Sequence, residues 1–349
     1  MSQDVLIRRA GAVGHISLNR PAALHALTHA MCEAICAALL DWRDDGGIAA
    51  VMIDHAAGRG FCAGGDVAMV RRSVLEDGGA AARAFFHVEY RLNHLLFAYP
   101  KPVVAVMDGV TMGGGVGLAL PCRYRIATEN TLLAMPEGAI GLFPDVGAGW
   151  YLPRLAGRIG QFLALTGARL DGAECLWAGL ATHYLAGDQV AQAKARIVEA
   201  PGDLEVALAD LAPADPPSAR LKGNAEPIAR LFAADRLEDI IAALTADPSA
   251  WAAKELKAVT AKCPATGKVA LRQFARPESD FAAEMAREYR LAARMIMRPD
   301  FAEGVRAVLV DKDNSPRWDP ARPEDVTDAM LDAIFAPLPP GEAWTPFPA

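Results

Sequence analysis

The chain has 349 residues, of which 52% are hydrophobic and 22% are charged. This composition is typical of a folded globular protein and excludes bulk disorder, and the length suits one large domain or two smaller ones. The formal net charge of −7 offers no basic face of the kind that binds a phosphate backbone, so nucleic acid is not an expected partner.

Short strands and helices alternate through the first 135 residues. The predicted strands are 5–7, 15–18, 49–55, 103–107, 124–127 and 131–135, and the predicted helices are 28–42, 80–98 and a short one ending near 120. This alternation predicts an α/β domain. The stretch 103–122 has the length of a membrane span, but Asp108 and five glycines interrupt it, so no membrane association is predicted.

The pattern changes after residue 186, where alanine-rich helical periodicity replaces the strands. The strongest amphipathic helix is predicted at 280–297, and 301–310 is predicted to be a further apolar helix or strand. We therefore divide the chain into a core, residues 1–186, which would carry the active site, and a mainly helical C-terminal region, residues 187–349, packed on that core.

The six cysteines include no Cys-x-x-Cys pair, so neither a zinc site nor a thioredoxin-like motif is expected, and we predict no bound metal. The first residues lack a long apolar stretch after a basic start, which argues against a signal peptide. Reduced cysteines without an export signal predict a cytoplasmic protein.

Two glycine-rich loops remain after familiar catalytic motifs are excluded. The chain has no Gly-x-Ser-x-Gly, no phosphate-binding P-loop, no dinucleotide-binding loop and no His-Glu-x-x-His. The loops at 63–66 and 112–115 each follow an apolar strand, and their N–H groups could converge on one carbonyl oxygen as an oxyanion hole. Tight turns and close packing explain such glycines equally well, so spacing alone leaves both interpretations open.

Two carboxylates flank a rigid Gly- and Pro-containing loop. Glu137 follows Met135-Pro136, and Asp145 lies eight residues further on. Paired carboxylates can divide the roles of general acid and base. Solvated loop charges are the alternative for both, and Asp145 could also cap a helix.

In order and spacing, three segments resemble the crotonase, or enoyl-CoA hydratase/isomerase, superfamily: FCAGGD (61–66), MDGVTMGGGVG (107–117) and AMPEGAIGLFPDVGAGWYLPRL (134–155). Segments 163–185 and 298–318 extend the resemblance to nearly the whole chain, which most resembles the 3-hydroxyisobutyryl-CoA hydrolase branch of that superfamily. Segment 298–318 in particular is similar to that branch. The resemblance implies an α/β fold with a crotonase-like core, a spiral of ββα units, and a helical C-terminal region.

The resemblance also implies roles for five residues. The backbone N–H groups of Gly65 and Gly114 would form the oxyanion hole for the oxygen of an acyl-CoA thioester. Glu137 matches the catalytic glutamate of the superfamily. Asp145 matches an assisting aspartate of the hydrolase branch, and Glu89 matches its substrate-binding glutamate.

One departure from the hydratase pattern indicates the reaction. Hydratases carry a second glutamate two residues after the triple glycine, where this chain has Gly117. The resemblance therefore implies hydrolysis of a short-chain 3-hydroxyacyl-CoA, either 3-hydroxyisobutyryl-CoA or 3-hydroxypropionyl-CoA, to the free acid and CoA in valine catabolism. The alternatives are a hydratase or isomerase on the same scaffold and a non-catalytic acyl-CoA-binding protein.

Glu137 could attack the thioester carbonyl as a nucleophile or act as general base on water, and family analogy favours nucleophilic attack. No cofactor is expected, since CoA is part of the substrate. An acyl-CoA is the expected partner. Crotonases commonly form trimers or pairs of trimers, although the C-terminal extension could replace those contacts.

The residues that would bind CoA are less well defined. Four basic residues could hold its phosphates, although each could equally be an ordinary surface charge: Arg20, Arg59, Lys268 and Lys312. His25 stands where crotonases commonly have asparagine, in a loop that resembles one bordering the CoA site. The exact acyl chain, the oligomeric state and the cofactor-binding residues stay unassigned.

Overall fold

The computed structural model describes residues 3–213 and 216–348. Over these residues the strands are β1 (Val5–Ala10), β2 (Val13–Leu18), β3 (Ala50–His55), β4 (Gly60–Cys62), β5 (Val103–Met107), β6 (Val110–Met112), β7 (Tyr124–Ala127), β8 (Leu132–Ala134) and β9 (His183–Tyr184). The helices up to β9 are α1 (His29–Arg43), α2 (Val67–Glu76), α3 (Ala80–Phe97), α4 (Gly114–Ala119), α5 (Ala148–Tyr151), α6 (Ile159–Thr166) and α7 (Gly172–Trp177).

The remainder is helical. After β9 the helices are α8 (Val190–Glu199), α9 (Leu204–Ala209), α10 (Ala225–Leu231), α11 (Leu237–Ala246), α12 (Ala250–Thr260), α13 (Pro264–Ala275), α14 (Phe281–Met295), α15 (Pro299–Val305) and α16 (Asp328–Phe335). A single turn of π-helix, Arg306–Val310, continues α15.

Two sheets organise the core. The larger has the strand order β1-β2-β3-β5-β7-β9, in which β1 and β2 are antiparallel and all the other pairs are parallel. The smaller is the parallel sheet β4-β6-β8. Strand β5 and the first four residues of β3 are apolar because helices cover both faces of the larger sheet.

Helices α1 and α3 cover the face of the larger sheet that adjoins the smaller sheet. Thr28 caps α1 by accepting a hydrogen bond from the Met31 backbone N–H, and every third or fourth residue of α1 is buried against the sheet. Side chains of α8 and α9, such as Ile197 and Leu208, pack with Val104 on the opposite face of the sheet. C-terminal helices α13 and α14 share the main hydrophobic core with the strands.

The predicted elements are largely confirmed, including the helical region after residue 186. The segment predicted at 280–297 is α14, and the segment left open at 301–310 belongs to α15 and the π-helical turn. Strands β4 and β6 were missed because three residues are too few to show a period. Helix α2 was also missed. The division of the chain into residues 1–186 and 187–349 stays a prediction.

In the described part of the chain, no helix combines the length and apolar character needed to cross a membrane.

Candidate active site

A cavity of about 300 Å³ opens between the two glycine loops, α3 and the loop that follows β8. Its lining brings together all five predicted site residues: Gly65, Glu89, Gly114, Glu137 and Asp145. Most of the remaining lining is apolar, and Val308 and Leu309 of the π-helical turn complete one side. The C-terminal region therefore contributes directly to the wall of the cavity.

The two glycine loops lie against each other at the floor of the cavity. A Cβ atom added to Gly114 would lie 3.2 Å from the Gly65 backbone nitrogen, and one added to Gly64 would lie 3.7 Å from the Gly114 nitrogen. Gly64 has a φ of +116° and Gly113 a φ of +47°, so the preceding residue in each loop must be glycine for the turn to form.

Neither the Gly65 N–H nor the Gly114 N–H donates a hydrogen bond within residues 3–213 and 216–348. Gly114 is the first residue of α4, a position whose N–H has no partner inside the helix. Two neighbouring free donors in the lining of a cavity are the groups that an oxyanion hole requires.

Glu137 lies where β8 ends and a 3₁₀ turn, Glu137–Ile140, begins. Its side chain is only 4% exposed, and its Oε2 atom has no hydrogen-bond partner in the described structure. A Cβ atom on Gly113 would lie 3.1 Å from Oε1 of Glu137, so the carboxyl group reaches the glycine loop. Burial, and to a lesser degree the nearby Asp145 carboxylate, raises the pKa of Glu137 well above its usual range.

Asp145 is also buried, and the Tyr90 hydroxyl donates a hydrogen bond of 2.6 Å to its Oδ2 atom. Burial raises the pKa of Asp145 to about 6, and the bond from Tyr90 opposes that rise by stabilising the ionised form. The side chain does not cap α5, whose N-cap is Gly147. The cap interpretation considered for Asp145 is therefore wrong.

Glu89 is the third buried carboxyl group of the cavity and projects from α3. A Cβ atom on Gly114 would lie 2.4 Å from Oε1 of Glu89, and this oxygen has no hydrogen-bond partner in the described structure. Burial raises the pKa of Glu89 well above its usual range, and repulsion from Asp145 and then Glu137 adds to the rise. Three carboxyl groups this buried cannot all be ionised at once.

The position of the missing hydratase glutamate is filled by other side chains. A Cβ atom on Gly117 would lie 2.5 Å from Cβ of Val146 and 2.9 Å from Nδ2 of Asn93. Asn93 is fully buried and donates a hydrogen bond of 3.0 Å to the Gly117 carbonyl. A glutamate at this position would require the Asp145–Gly147 turn to move.

Sequence reasoning missed Tyr90 and the π-helical turn. Tyr90 directly follows Glu89, but its partner Asp145 lies 55 residues away, and no local pattern reports such a pair. Val308 and Leu309 were noted only as part of an apolar segment.

The basic candidates are distributed unevenly around the cavity. Lys268 is held by Glu238 at 2.6 Å and by two backbone carbonyls, and it lines a different cleft, so it does not face the cavity. Arg20 forms an ion pair of 2.9 Å with Asp66, which lines the cavity. Arg59 and Lys312 are exposed.

His25 does not line the cavity. Its Nδ1 accepts a hydrogen bond of 2.9 Å from the Arg20 backbone N–H, and its Nε2 lies 2.8 Å from the Ala57 carbonyl. This pair of contacts requires the neutral tautomer with hydrogen on Nε2. Burial lowers the pKa of His25, which agrees with a neutral ring that ties two loops together.

Comparison with known proteins identifies relatives over nearly the full chain. The model of the enoyl-CoA hydratase/isomerase family matches residues 13–335. The mitochondrial 3-hydroxyisobutyryl-CoA hydrolase of Gallus gallus is 40% identical over 347 residues, covering 96% of this chain and 89% of the relative. The Homo sapiens enzyme of the same name is 39% identical over 346 residues, covering 97% of this chain and 89% of the relative.

Two solved structures have the same fold. A carnitinyl-CoA dehydratase from Mycobacterium thermoresistibile superposes with a TM-score of 0.92 at 38% identity, covering 97% of this chain and 98% of the other. An enoyl-CoA hydratase from Rhodobacter sphaeroides 2.4.1 superposes with a TM-score of 0.89 at 40% identity, covering 98% of this chain and 100% of the other. The predicted crotonase-like fold is confirmed, while the names of these relatives divide between hydrolase and hydratase or dehydratase.

Proposed function

The chain belongs to the enoyl-CoA hydratase/isomerase family, and from that premise we propose that it hydrolyses a short-chain 3-hydroxyacyl-CoA thioester to the free acid and CoA. The substrate is 3-hydroxyisobutyryl-CoA, the compound in the names of the curated relatives. One observation carries the proposal: the cavity has free N–H donors beside Glu137, while Val146 and Asn93 fill the space of a hydratase's second glutamate.

The thioester oxygen binds between the N–H groups of Gly65 and Gly114. Charge develops on this oxygen as the tetrahedral intermediate forms, so fixed donors stabilise the transition state more than the ground state. Because the lining of the cavity is largely apolar, each of these hydrogen bonds is stronger than it would be in water.

Glu137 acts in one of two ways, and both convert thioester and water into free acid and CoA. As general base, it takes a proton from the water that attacks the carbonyl carbon; the C–S bond then breaks, and the CoA thiolate leaves and is protonated. As nucleophile, its oxygen attacks the same carbon and displaces the thiolate, and water then cleaves the mixed anhydride. We favour the nucleophilic route by family analogy.

Hydroxylamine separates the two routes. It converts a glutamyl anhydride into a hydroxamate, which mass spectrometry of the Glu137 peptide detects after turnover with substrate. Turnover in ¹⁸O-water adds a second readout, since label in the Glu137 carboxyl group arises only when water attacks the glutamyl carbon. Neither mark on Glu137 is expected from the general-base route.

Asp145 and Glu89 recognise the 3-hydroxyl group or place the attacking water. Both carboxyl groups face the cavity, and Oε1 of Glu89 has no partner of its own. A pocket discriminates one methyl group by only about 10- to 200-fold, so 3-hydroxypropionyl-CoA is a second substrate. Arg20, Arg59 and Lys312 are the remaining candidates for the CoA phosphates.

Release of free thiol tests the proposal. Purified protein is assayed with 3-hydroxyisobutyryl-CoA, 3-hydroxypropionyl-CoA and crotonyl-CoA, with thiol and hydration product followed in parallel. Thiol release from the two 3-hydroxyacyl thioesters is expected. Hydration of crotonyl-CoA without thiol release would instead support a hydratase, the activity in the name of the Rhodobacter sphaeroides protein. Tight binding with neither product would indicate a non-catalytic acyl-CoA-binding protein.

We place this reaction in valine degradation and in the cytoplasm. All six cysteines are buried and unpaired, which fits a reducing compartment. The curated relatives are named as mitochondrial, so fractionation of the source cells with antibody detection decides the compartment. Sedimentation of the purified protein decides whether it forms the trimer or hexamer expected from the resemblance.

A further inference from the structure

The turn that carries Asp145 has an unusual backbone conformation. Val146 has a φ of +53°, which a β-branched residue rarely adopts, and Gly147 follows with a φ of +93°. Consecutive residues in the left-handed region persist only where the surrounding structure holds them. The orientation of Asp145 therefore depends on groups that contact the turn from outside.

Glu288, on α14, makes that contact. Its Oε2 accepts a hydrogen bond of 2.7 Å from the Gly147 N–H, and its Oε1 accepts one of 3.0 Å from the Gly149 N–H. The Gln273 side-chain amide donates a further bond of 3.0 Å to Oε1. Glu288 has no exposed surface, and it does not line the cavity. A buried carboxyl group with both oxygens used for backbone N–H groups fixes the path of the chain between them.

The glycines of the turn are adapted to this contact. A Cβ atom on Gly149 would lie 1.9 Å from Nε2 of Gln273 and 2.1 Å from Oε1 of Glu284, and one on Gly147 would lie 3.0 Å from the Phe281 ring. Only residues without side chains let the C-terminal helices come this close to the turn. The sequence Gly-Ala-Gly after Asp145-Val146 is thus the counterpart of the Gln273–Glu288 pair.

We propose that Glu288 is a positioning residue for Asp145, acting through the backbone of the Asp145–Gly149 turn and so coupling the C-terminal helices to the reaction. This inference rests on the proposed hydrolase function only for its kinetic consequence. The structural consequence, that Glu288 holds the turn, is measurable without any substrate.

Hydrogen exchange tests the structural part in the full-length protein. In Glu288→Gln the amide nitrogen of the new side chain faces one backbone N–H and cannot accept from it, so the peptide covering 143–152 is expected to exchange about tenfold faster or more. Glu174→Gln is the matched control, because Glu174 is buried and accepts hydrogen bonds of 3.0 Å from the Asp171 and Leu221 backbone N–H groups, away from the cavity. Unchanged exchange at 143–152 in Glu288→Gln would overturn the proposal.

Thiol-release kinetics test the catalytic part. Glu288→Gln is expected to lower kcat roughly 10- to 100-fold with a smaller change in KM, since displacement of a reacting group by about 1 Å has that effect. In an Asp145→Asn background the same substitution is expected to change kcat by less than about threefold, because residues that act as one unit are not additive. An undiminished loss in that background would show that Glu288 does not act through Asp145.

A second variant covers the case in which Glu288→Gln does not fold. Gln273→Ala keeps the Glu288 carboxyl group and its two bonds to the turn, but removes the amide that donates to Oε1 of Glu288 and to Oε1 of Glu284. It is expected to give smaller changes in the same direction in both assays. Absence of thiol release from the unmodified protein would count against the proposed function alone, because the exchange result still decides whether Glu288 holds the turn.

Discussion

The hydroxyl group of Tyr90 donates a hydrogen bond of 2.6 Å to Asp145 across 55 residues of sequence, joining α3 to the turn after Pro144. Both side chains are buried, and Tyr90 immediately follows Glu89, another cavity carboxyl group. The bond favours the ionised form of Asp145 in a setting where burial favours the neutral form. One side chain thereby influences how charge is distributed over the carboxyl groups of the cavity.

Tyr90→Phe is expected to shift the acid limb of the kcat/KM pH profile upward by about one to two pH units, because a hydrogen bond to a charged group contributes about 1.5–3 kcal/mol and its loss raises the pKa of Asp145. The profile is measured by thiol release between pH 5 and 8. Tyr289→Phe is the control, since the Tyr289 ring packs edge-on against Tyr90 but does not bond to Asp145. A profile unchanged in Tyr90→Phe would contradict the role given to this bond.

Asp145→Asn is expected to lower activity and to stabilise the protein. The folded-state pKa of Asp145, about 6, exceeds its ordinary value of 3.8, so the folded state binds more protons in this range and loses stability as pH rises from about 4 to 6. Asparagine removes that loss, with a gain of roughly 1–3 kcal/mol at pH 7.5 and little gain at pH 4.

Thermal unfolding of the wild type and Asp145→Asn at several pH values measures this difference. Asp41→Asn serves as control, because Asp41 is exposed on α1 and does not line the cavity. A stability difference between wild type and Asp145→Asn that does not grow with pH would argue that folding does not raise the pKa of Asp145.

Glu137→Gln is expected to reduce kcat by about 10³-fold or more, since it removes the only oxygen proposed to attack carbon or accept the proton from water. The fold should persist, because Oε2 of Glu137 makes no hydrogen bond that the substitution could break. Circular dichroism and thermal unfolding check the fold beside the thiol-release assay. Hydrolysis within tenfold of the wild-type rate would remove Glu137 from the reaction.

Gly117→Ala is expected to destabilise the protein by about 1–3 kcal/mol, because the added Cβ would lie 2.5 Å from Cβ of Val146. Gly117→Glu should be worse and should not create crotonyl-CoA hydration. Denaturant unfolding measures the cost, with Gly46→Ala as control, since nothing lies within 4 Å of a Cβ atom there. A stable Gly117→Glu variant that hydrates crotonyl-CoA would show that this space is more adaptable than the structure indicates.

Much of the fold was predictable because the buried face of an element shows in its sequence as a pattern of apolar residues. Strand β5 is a continuous apolar run, and helix α1 has apolar residues at every third or fourth position. For both elements the predicted and observed bounds agree to within about a residue. The predicted bounds of α14, 280–297, lie within two residues of the observed Phe281–Met295. Short strands such as β4 and β6 show no such pattern, because three residues are held by their neighbours and not by a pattern of their own.

The chemical groups of the site were also readable along the chain. Glycines after strand ends and the paired Glu137 and Asp145 marked the two sides of the cavity, and the ordered motifs identified the superfamily. Gly117 indicated which second carboxylate is missing. These features are local, because a turn that needs glycine or a loop that presents a carboxylate shows this in a few consecutive residues.

The contacts that give those groups their properties became visible only in three dimensions. Tyr90 meets Asp145 at a separation of 55 residues, and Glu288 meets Gly147 at a separation of 141. Such pairs depend on how whole helices pack on the sheets, a sum over many weak contacts that no short segment records. The raised pKa of Asp145 has the same origin, because burial and the opposing hydrogen bond from Tyr90 are properties of the assembled cavity and not of the residue type.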